Sequence, residues 1–198
     1  MLGLPNTNAP AVSYLLETIG YSNKITINSH DLYGMSHLII PGIGFISAIT
    51  EEIDAIEGLR EQIVAFCQSG KPVLGICLGM QLLGFSSEEN ILAKCLGIAE
   101  FKTESLANHI STNSVPHIGW NQVSYNQTSE IFTGIPENTD FYFSHSFAVM
   151  SSDLSTSTTN FEIDFVSSIK SNNVFGVQFH PERSQKFGIK LLENFLRL

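Results

Sequence analysis

The stretch that decides the fold is KPVLGICLGMQLL, Lys71 to Leu83. Its first part, KPVLGI (Lys71–Ile76), is a short apolar run of the kind a parallel sheet buries on both faces. A helical segment follows directly, from Leu78 to about Phe85. A strand that runs straight into a helix is the repeating unit of α/β folds.

Working outward, the N-terminal side keeps the alternation. HLII (His37–Ile40) reads as a strand entering a PGIG turn at Pro41–Gly44. Beyond it Ile46, Ile49, Ile53, Ile56, Ile63 and Phe66 recur at helical spacing, and Gly58 divides that stretch into two helices. KITIN (Lys24–Asn28) alternates like a strand, and Ala9–Gly20 reads as a helix stopped by Gly20. On the C-terminal side strands dominate. Phe141–Met150 and Phe161–Lys170 look extended, and Val174–Phe179 follows across Ser171-Asn172-Asn173 as a hairpin. SSDLSTSTTN (Ser151–Asn160) reads as a loop. A last helix places Ile189, Leu192 and Leu196 near one face. No repeat or linker interrupts the chain, so residues 1–198 are expected to form a single α/β domain. Its central sheet is expected to be mostly parallel, with flanking helices and a strand-rich second half.

The 198 residues are 43% hydrophobic and 15% charged, a globular composition with a lean polar surface. The formal net charge of −9, without a basic run, disfavours nucleic acid and anionic membranes as partners. MLGLPNTNAP at the start has no charged region followed by an apolar one, so no signal peptide is expected. No apolar stretch nears the roughly 20 residues of a spanning helix. Cys67, Cys77 and Cys95 form no CxxC and cannot all pair, which implies free thiols and a cytoplasmic protein.

GICLG (Gly75–Gly79) sets a cysteine between a buried strand and a helix, with glycine two positions away on each side. That is a nucleophile elbow with sulfur in place of a serine oxygen. The turn puts Cys77 at a helix N-terminus, where partial positive charge favours the reactive thiolate. The same turn offers the Leu78 N–H as one oxyanion donor, and PGIG can bring a second from Ile43 or Gly44. The plain alternative is a small buried hydrophobe. That alternative stands for Cys67 and Cys95, which lack the glycine frame.

A thiolate needs a base, and the base needs a group that holds its tautomer. FHPE (Phe179–Glu182) offers both at a strand end: His180 as base and Glu182 as orienter, with Pro181 stiffening the step between them. Alone, each has an ordinary structural explanation; with GICLG the three form a catalytic set. His117 and His145 lie in aromatic-rich segments, where a structurally hydrogen-bonded histidine is expected. His30, His37 and His109 carry no signal, and no pair has metal-ligand spacing with a nearby acid, so neither metal nor cofactor is expected.

PGIG, GICLGMQLL and GVQFHPE together resemble the class I, triad-type glutamine amidotransferases. The resemblance implies a flavodoxin-like α/β fold and glutaminase chemistry, with Cys77 the nucleophile, His180 the base and Glu182 its orienter. It also implies that Gly42 to Gly44 form the oxyanion and substrate loop and that Gln81 contacts bound glutamine. Ser144, His145 and Ser146 would offer backbone contacts to the amino-acid end of the substrate. VPHIGWNQV (Val115–Val123), YFSHSF (Tyr142–Phe147), HPERSQKFG (His180–Gly188) and SYLLETIGY (Ser13–Tyr21) narrow the likeness to the glutaminase subunits of imidazole glycerol phosphate synthases. Such subunits dock on a (β/α)8-barrel cyclase subunit and pass ammonia through it. Resemblance therefore implies a heterodimer, with Trp120, Asn121, Tyr142 and Phe143 as candidates for the partner-facing wall.

Two features depart from that pattern. Family members open with a buried strand, whereas here only a few residues precede Asn6, which implies a missing first strand or a start inside the reading frame. The family's glycine–asparagine step is replaced by PNTNAP (Pro5–Pro10). Three alternatives remain open on sequence: a paralogous glutaminase feeding ammonia to another synthase, such as one amidating surface-polysaccharide sugars; a free-standing cysteine hydrolase cutting γ-glutamyl bonds; and a non-catalytic subunit that keeps the fold.

Overall fold

A computed structural model describes residues 1–5, 7–112, 114–125 and 129–198. Asn6, within PNTNAP, lies outside them. In chain order the elements are α1 (Ala9–Thr18), β1 (Leu38–Gly42), α2 (Ile46–Asp54), α3 (Leu59–Gln68), β2 (Val73–Cys77) and α4 (Leu78–Leu82). Then come β3 (Ser86–Ser87), β4 (Lys102–Ser105), β5 (His117–Tyr125), β6 (Thr139–His145), β7 (Phe147–Ala148), β8 (Ser155–Phe161), β9 (Ile163–Ser171), β10 (Val174–Val177) and α5 (Gln185–Phe195).

The main sheet has the order β1-β2-β10-β9-β8-β5-β6. β1, β2 and β10 run parallel, with β2, from the apolar run KPVLGI, in the middle as a buried parallel strand was expected to be. From β10 to β6 every neighbour is antiparallel, because the hairpin at Asn172–Asn173 reverses the chain and the following strands meander. The α/β architecture stands, and the sheet is mixed: parallel in the half that carries GICLG, antiparallel in the other. A small second sheet joins β3, β4 and β7.

Helices cover both faces, and strand alternation sorts side chains between two cores. Ile39, Leu74, Ile76, Phe175 and Val177 pack with α1 and α5. Leu38, Ile40, Val73 and Val174 pack with α2, α3 and α4 on the other face. Gly58 does break the long helical stretch, adopting a left-handed φ of 72° before α3. The closing helix buries Gly188, Leu191, Leu192 and Phe195; Ile189 and Leu196 only flank that face. No helix among the described residues is long and apolar enough to cross a membrane.

Three expectations are corrected. KITIN is not a strand: only Thr26 bridges, in parallel with Leu2. Leu2 N–H also donates to Ile39 O at 3.0 Å, so Met1–Leu4 lies between Thr26 and β1 at the sheet edge, with Leu2 and Leu4 buried. Phe141–Met150 is split, β6 joining the main sheet and β7 the small one. SSDLSTSTTN is not a loop: its second half is β8. Two of its hydroxyls are paired across to β9, with Thr156 Oγ1 at 2.6 Å from Ser168 Oγ and Ser157 Oγ at 2.8 Å from Ser167 Oγ. A polar composition read as loop is a strand in which Thr156 and Ser157 find hydroxyl partners on the neighbouring strand.

Candidate active site

β2 ends and α4 begins at Cys77 without an intervening residue. Cys77 has φ 53° and ψ −109°, a conformation that non-glycine residues rarely adopt and that marks sites where the surroundings hold strain. The flanking glycines are required by contact. A Cβ on Gly79 would sit 1.8 Å from Ile40 O, and one on Gly75 would sit 2.6 Å from Gly79 O. Leu78 is the first helical residue, so its N–H has no acceptor within the helix and is available to a ligand.

β10 leads to His180, whose N–H donates to Tyr142 O at 2.8 Å. A short 3₁₀ turn, Pro181–Arg183, then swings Glu182 back beneath the imidazole. Nδ1 of His180 lies 2.8 Å from Oε1 of Glu182, and the two side chains are only 4% and 1% exposed. Burial alone would strip the proton from this ring. The charge and hydrogen bond of Cys77, with those of Glu182, outweigh burial and raise His180 to about 10. A sulfur and a carboxylate on either side of the ring thus favour its protonated form.

These residues line a cleft of ≈ 650 Å³. Ile43, Gly44, Cys77, Leu78, Gln81, Ser144, His145, Ser146, His180 and Glu182 all face it, as the sequence led one to expect. Gly42 does not. It lies under the elbow, where a Cβ would meet Gly79 N at 2.8 Å, so it permits close approach rather than contact with a ligand. The Cys77 sulfur is 3.8 Å from Ser144 O.

Three residues escaped sequence reasoning. Gln178 Nε2 points at Cys77 Sγ, 3.6 Å away, while its Oε1 accepts from Gln81 Nε2 at 3.0 Å. The period of two from His180 along the strand was the available signal. Glu89 lines the cleft, accepts from Ile46 N–H at 2.9 Å, and is raised above the usual carboxylate range by burial. Asn8 donates to Oε1 of Glu182. Nothing local in sequence announced either.

His117 and His145 are both hydrogen-bonded, as expected of each, and the structure adds that they bond each other. Asn121 Nδ2 donates to His117 Nε2 at 3.2 Å, His117 Nδ1 lies 3.0 Å from His145 Nε2, and His145 Nδ1 lies 2.9 Å from Phe147 O. A carbonyl at one end and an amide donor at the other fix both tautomers as neutral. Burial lowers His117 to about 4; burial, then His117, lowers His145 to about 3.

Of the suggested partner-facing wall, Trp120 is 48% exposed and packs edge-on to Tyr142, over whose ring Arg183 sits at 4.1 Å. Phe143 does not belong to it. Neighbouring residues of β6 face opposite ways, and Phe143 is wholly buried against His117 and Phe179.

The family model for "Glutamine amidotransferase class-I" matches residues 11–198. A relative from Buchnera aphidicola subsp. Acyrthosiphon pisum (strain APS), named imidazole glycerol phosphate synthase subunit HisH, is 38% identical over 192 residues, which cover 96% of this chain and 94% of that protein. The protein named imidazole glycerol phosphate synthase subunit HisH 2 from Methanococcus maripaludis is 39% identical over 197 residues, with the same two coverages. Among solved structures, one described as a glutamine amidotransferase superposes with a TM-score of 0.76 at 17% identity, covering 99% of this chain and 97% of its own. PurLQS from Thermotoga maritima gives 0.73 at 20% identity, covering 99% and 95%. At those identities the structures speak to the fold alone.

Proposed function

This chain belongs to the class I glutamine amidotransferase family, and from that premise we propose that it hydrolyses glutamine to glutamate and ammonia with Cys77, His180 and Glu182. The observation that carries the reading is the buried His180 ring, its Nδ1 2.8 Å from Oε1 of Glu182, lining one cleft with the strained Cys77.

In this reading the Cys77 sulfur attacks the carboxamide carbon of glutamine. The carbonyl oxygen gains the displaced electron pair and is held by the Leu78 N–H and a donor from the Ile43–Gly44 turn. His180 passes its proton to the nitrogen, the C–N bond breaks, and ammonia leaves a γ-glutamyl thioester on Cys77. His180, now neutral, takes a proton from water as it attacks, and collapse returns glutamate and the thiolate. Glu182 stays ionised and balances the imidazolium whenever it forms. Glu89 and the Ser144–Ser146 segment both line the cleft, and in this reading they are the groups that receive the substrate's amino-acid end.

Similarity to relatives named as imidazole glycerol phosphate synthase subunits supports a finer statement: the chain acts as the glutaminase subunit of such a synthase in histidine biosynthesis. Its partner would be a (β/α)8-barrel cyclase subunit in a heterodimer, docked over the exposed Trp120 and Arg183 and the half-buried Tyr142 between them, with Arg183 also lining the cleft. Free thiols fit a reducing cytoplasm. The test is glutamate release from glutamine, with and without a co-expressed cyclase subunit and its nucleotide substrate. Strong stimulation by the pair is expected. Basal turnover without stimulation would assign the chain to another synthase, and no turnover under either condition would contradict the glutaminase reading.

A further inference from the structure

Asn8 stands immediately before α1, and its backbone starts that helix: its carbonyl accepts from the N–H groups of Ala11 at 3.0 Å and Val12 at 3.3 Å. Asparagine is among the residues whose side chain best caps a helix N-terminus. Here the side chain makes no cap bond. It turns away and donates from Nδ2 to Oε1 of Glu182, 174 positions along the chain.

That oxygen is the one the His180 ring bonds, at 2.8 Å. The Glu182 side chain is 1% exposed, and its Oε2 finds no partner among the described residues. Asn8 Oδ1 is in the same position. The carboxylate is thus a buried anion with two donors, both on Oε1: the imidazole it must orient and the amide of Asn8. An ionised carboxylate can only accept, so the amide must present its NH2 group, and the bond is charge-assisted.

We propose that Asn8 is a positioning residue for the reaction: it pins the Glu182 carboxylate so that Nδ1 of His180 is held and Nε2 stays aimed at Cys77. The inference rests on the triad reading given above. The helix forgoes its cap so that the triad has a fourth, non-reacting member. Removing the amide leaves Glu182 held by the imidazole alone, and the pair loses its fixed orientation.

The test compares glutamate release across pH for the wild type, Asn8→Ser and Asn8→Asp, with melting temperatures measured alongside. Serine is too short to reach Glu182 yet is a good cap, so Asn8→Ser should lose about ten- to a hundred-fold in kcat while KM for glutamine changes little and the melting temperature holds or rises. An aspartic acid can donate in place of the amide only while protonated. Two carboxyl groups sharing a site hold that proton above the ordinary Asp range. The ratio of Asn8→Asp to wild-type activity should therefore fall as pH rises, ending below that of Asn8→Ser. Wild-type kcat in Asn8→Ser, or an Asn8→Asp ratio independent of pH, would overturn the inference while leaving the triad intact. A wild type that turns over no glutamine would overturn the triad reading and this inference with it.

Discussion

Around one cleft stand two sets of buried histidines that the surroundings drive in opposite directions. His180 touches a sulfur and a carboxylate and is raised to about 10. His145, which lines the same cleft, touches His117 and a carbonyl, and is lowered to about 3. All three rings are buried. Burial favours the neutral form of each, so the sign is decided by what else each ring meets. Where a sulfur and a carboxylate flank the ring its protonated form is favoured, which suits the proton carrier of the proposed reaction. Where a carbonyl and another imidazole flank it, it is built to keep one tautomer and hold backbone in place: His145 tethers Phe147 O, which Gln81 Nε2 also reaches at 2.9 Å.

The contrast is sharpened most by His180→Asn, which removes the proton carrier without much change in volume. Glutamine hydrolysis should fall on the order of 10³-fold or more, because members of such a unit fail together. Loss of less than tenfold would break the contrast. His145→Phe should act differently, raising KM for glutamine several-fold through a displaced Ser144–Ser146 segment while costing less in kcat. A kcat loss equal to that of His180→Asn would put His145 in the chemistry instead.

The pH dependence of stability separates the two sets by sign. His117 and His145 have folded values below the ordinary 6.5, so between 6.5 and about 4 the unfolded chain binds more protons and stability falls as pH falls. His180 has a folded value above 6.5, so its contribution is full below 6.5 and is lost as pH rises toward about 10. Each proton is worth about 1.4 kcal/mol per pH unit at most within its window. Denaturant midpoints from pH 4.5 to 6.5 should show His117→Leu with a shallower acid slope than the wild type by about one proton; an unchanged slope would mean His117 is already charged in the native state. The smallest effect concerns the bystander thiols. Burial pushes Cys67 up to about 12 and raises Cys95 as well, so alkylation of the native protein at neutral pH should leave Cys67 unlabelled and glutaminase activity should survive Cys67→Ala.

Much of the site was legible because its demands are local. The elbow needs glycines at fixed offsets from Cys77: Gly75 meets Gly79 O within the same strand-to-helix turn, while Gly79 lets the turn close on Ile40 O of the neighbouring strand β1. His180 and Glu182 are two residues apart and were readable for the same reason. Asn8 was not, since its partner is 174 positions away and its type suited an ordinary helix cap. The antiparallel half was harder than the parallel half. Parallel strands buried on both faces must be apolar, while β8 could be made of Ser and Thr because β9 answers with Ser167 and Ser168. Phe143 was misplaced by ignoring alternation: beside the half-exposed Tyr142 on β6, it had to face inward.

The central claim is that the strained cysteine of the elbow, and neither of the other two, is the nucleophile. The direct measurement is glutamate release from glutamine by the wild type and by Cys77→Ala, Cys67→Ala and Cys95→Ala, assayed with the synthase partner present. The account predicts that Cys77→Ala alone loses turnover, while the partner in that pair still uses added ammonia. Turnover near the wild-type rate by Cys77→Ala would contradict it.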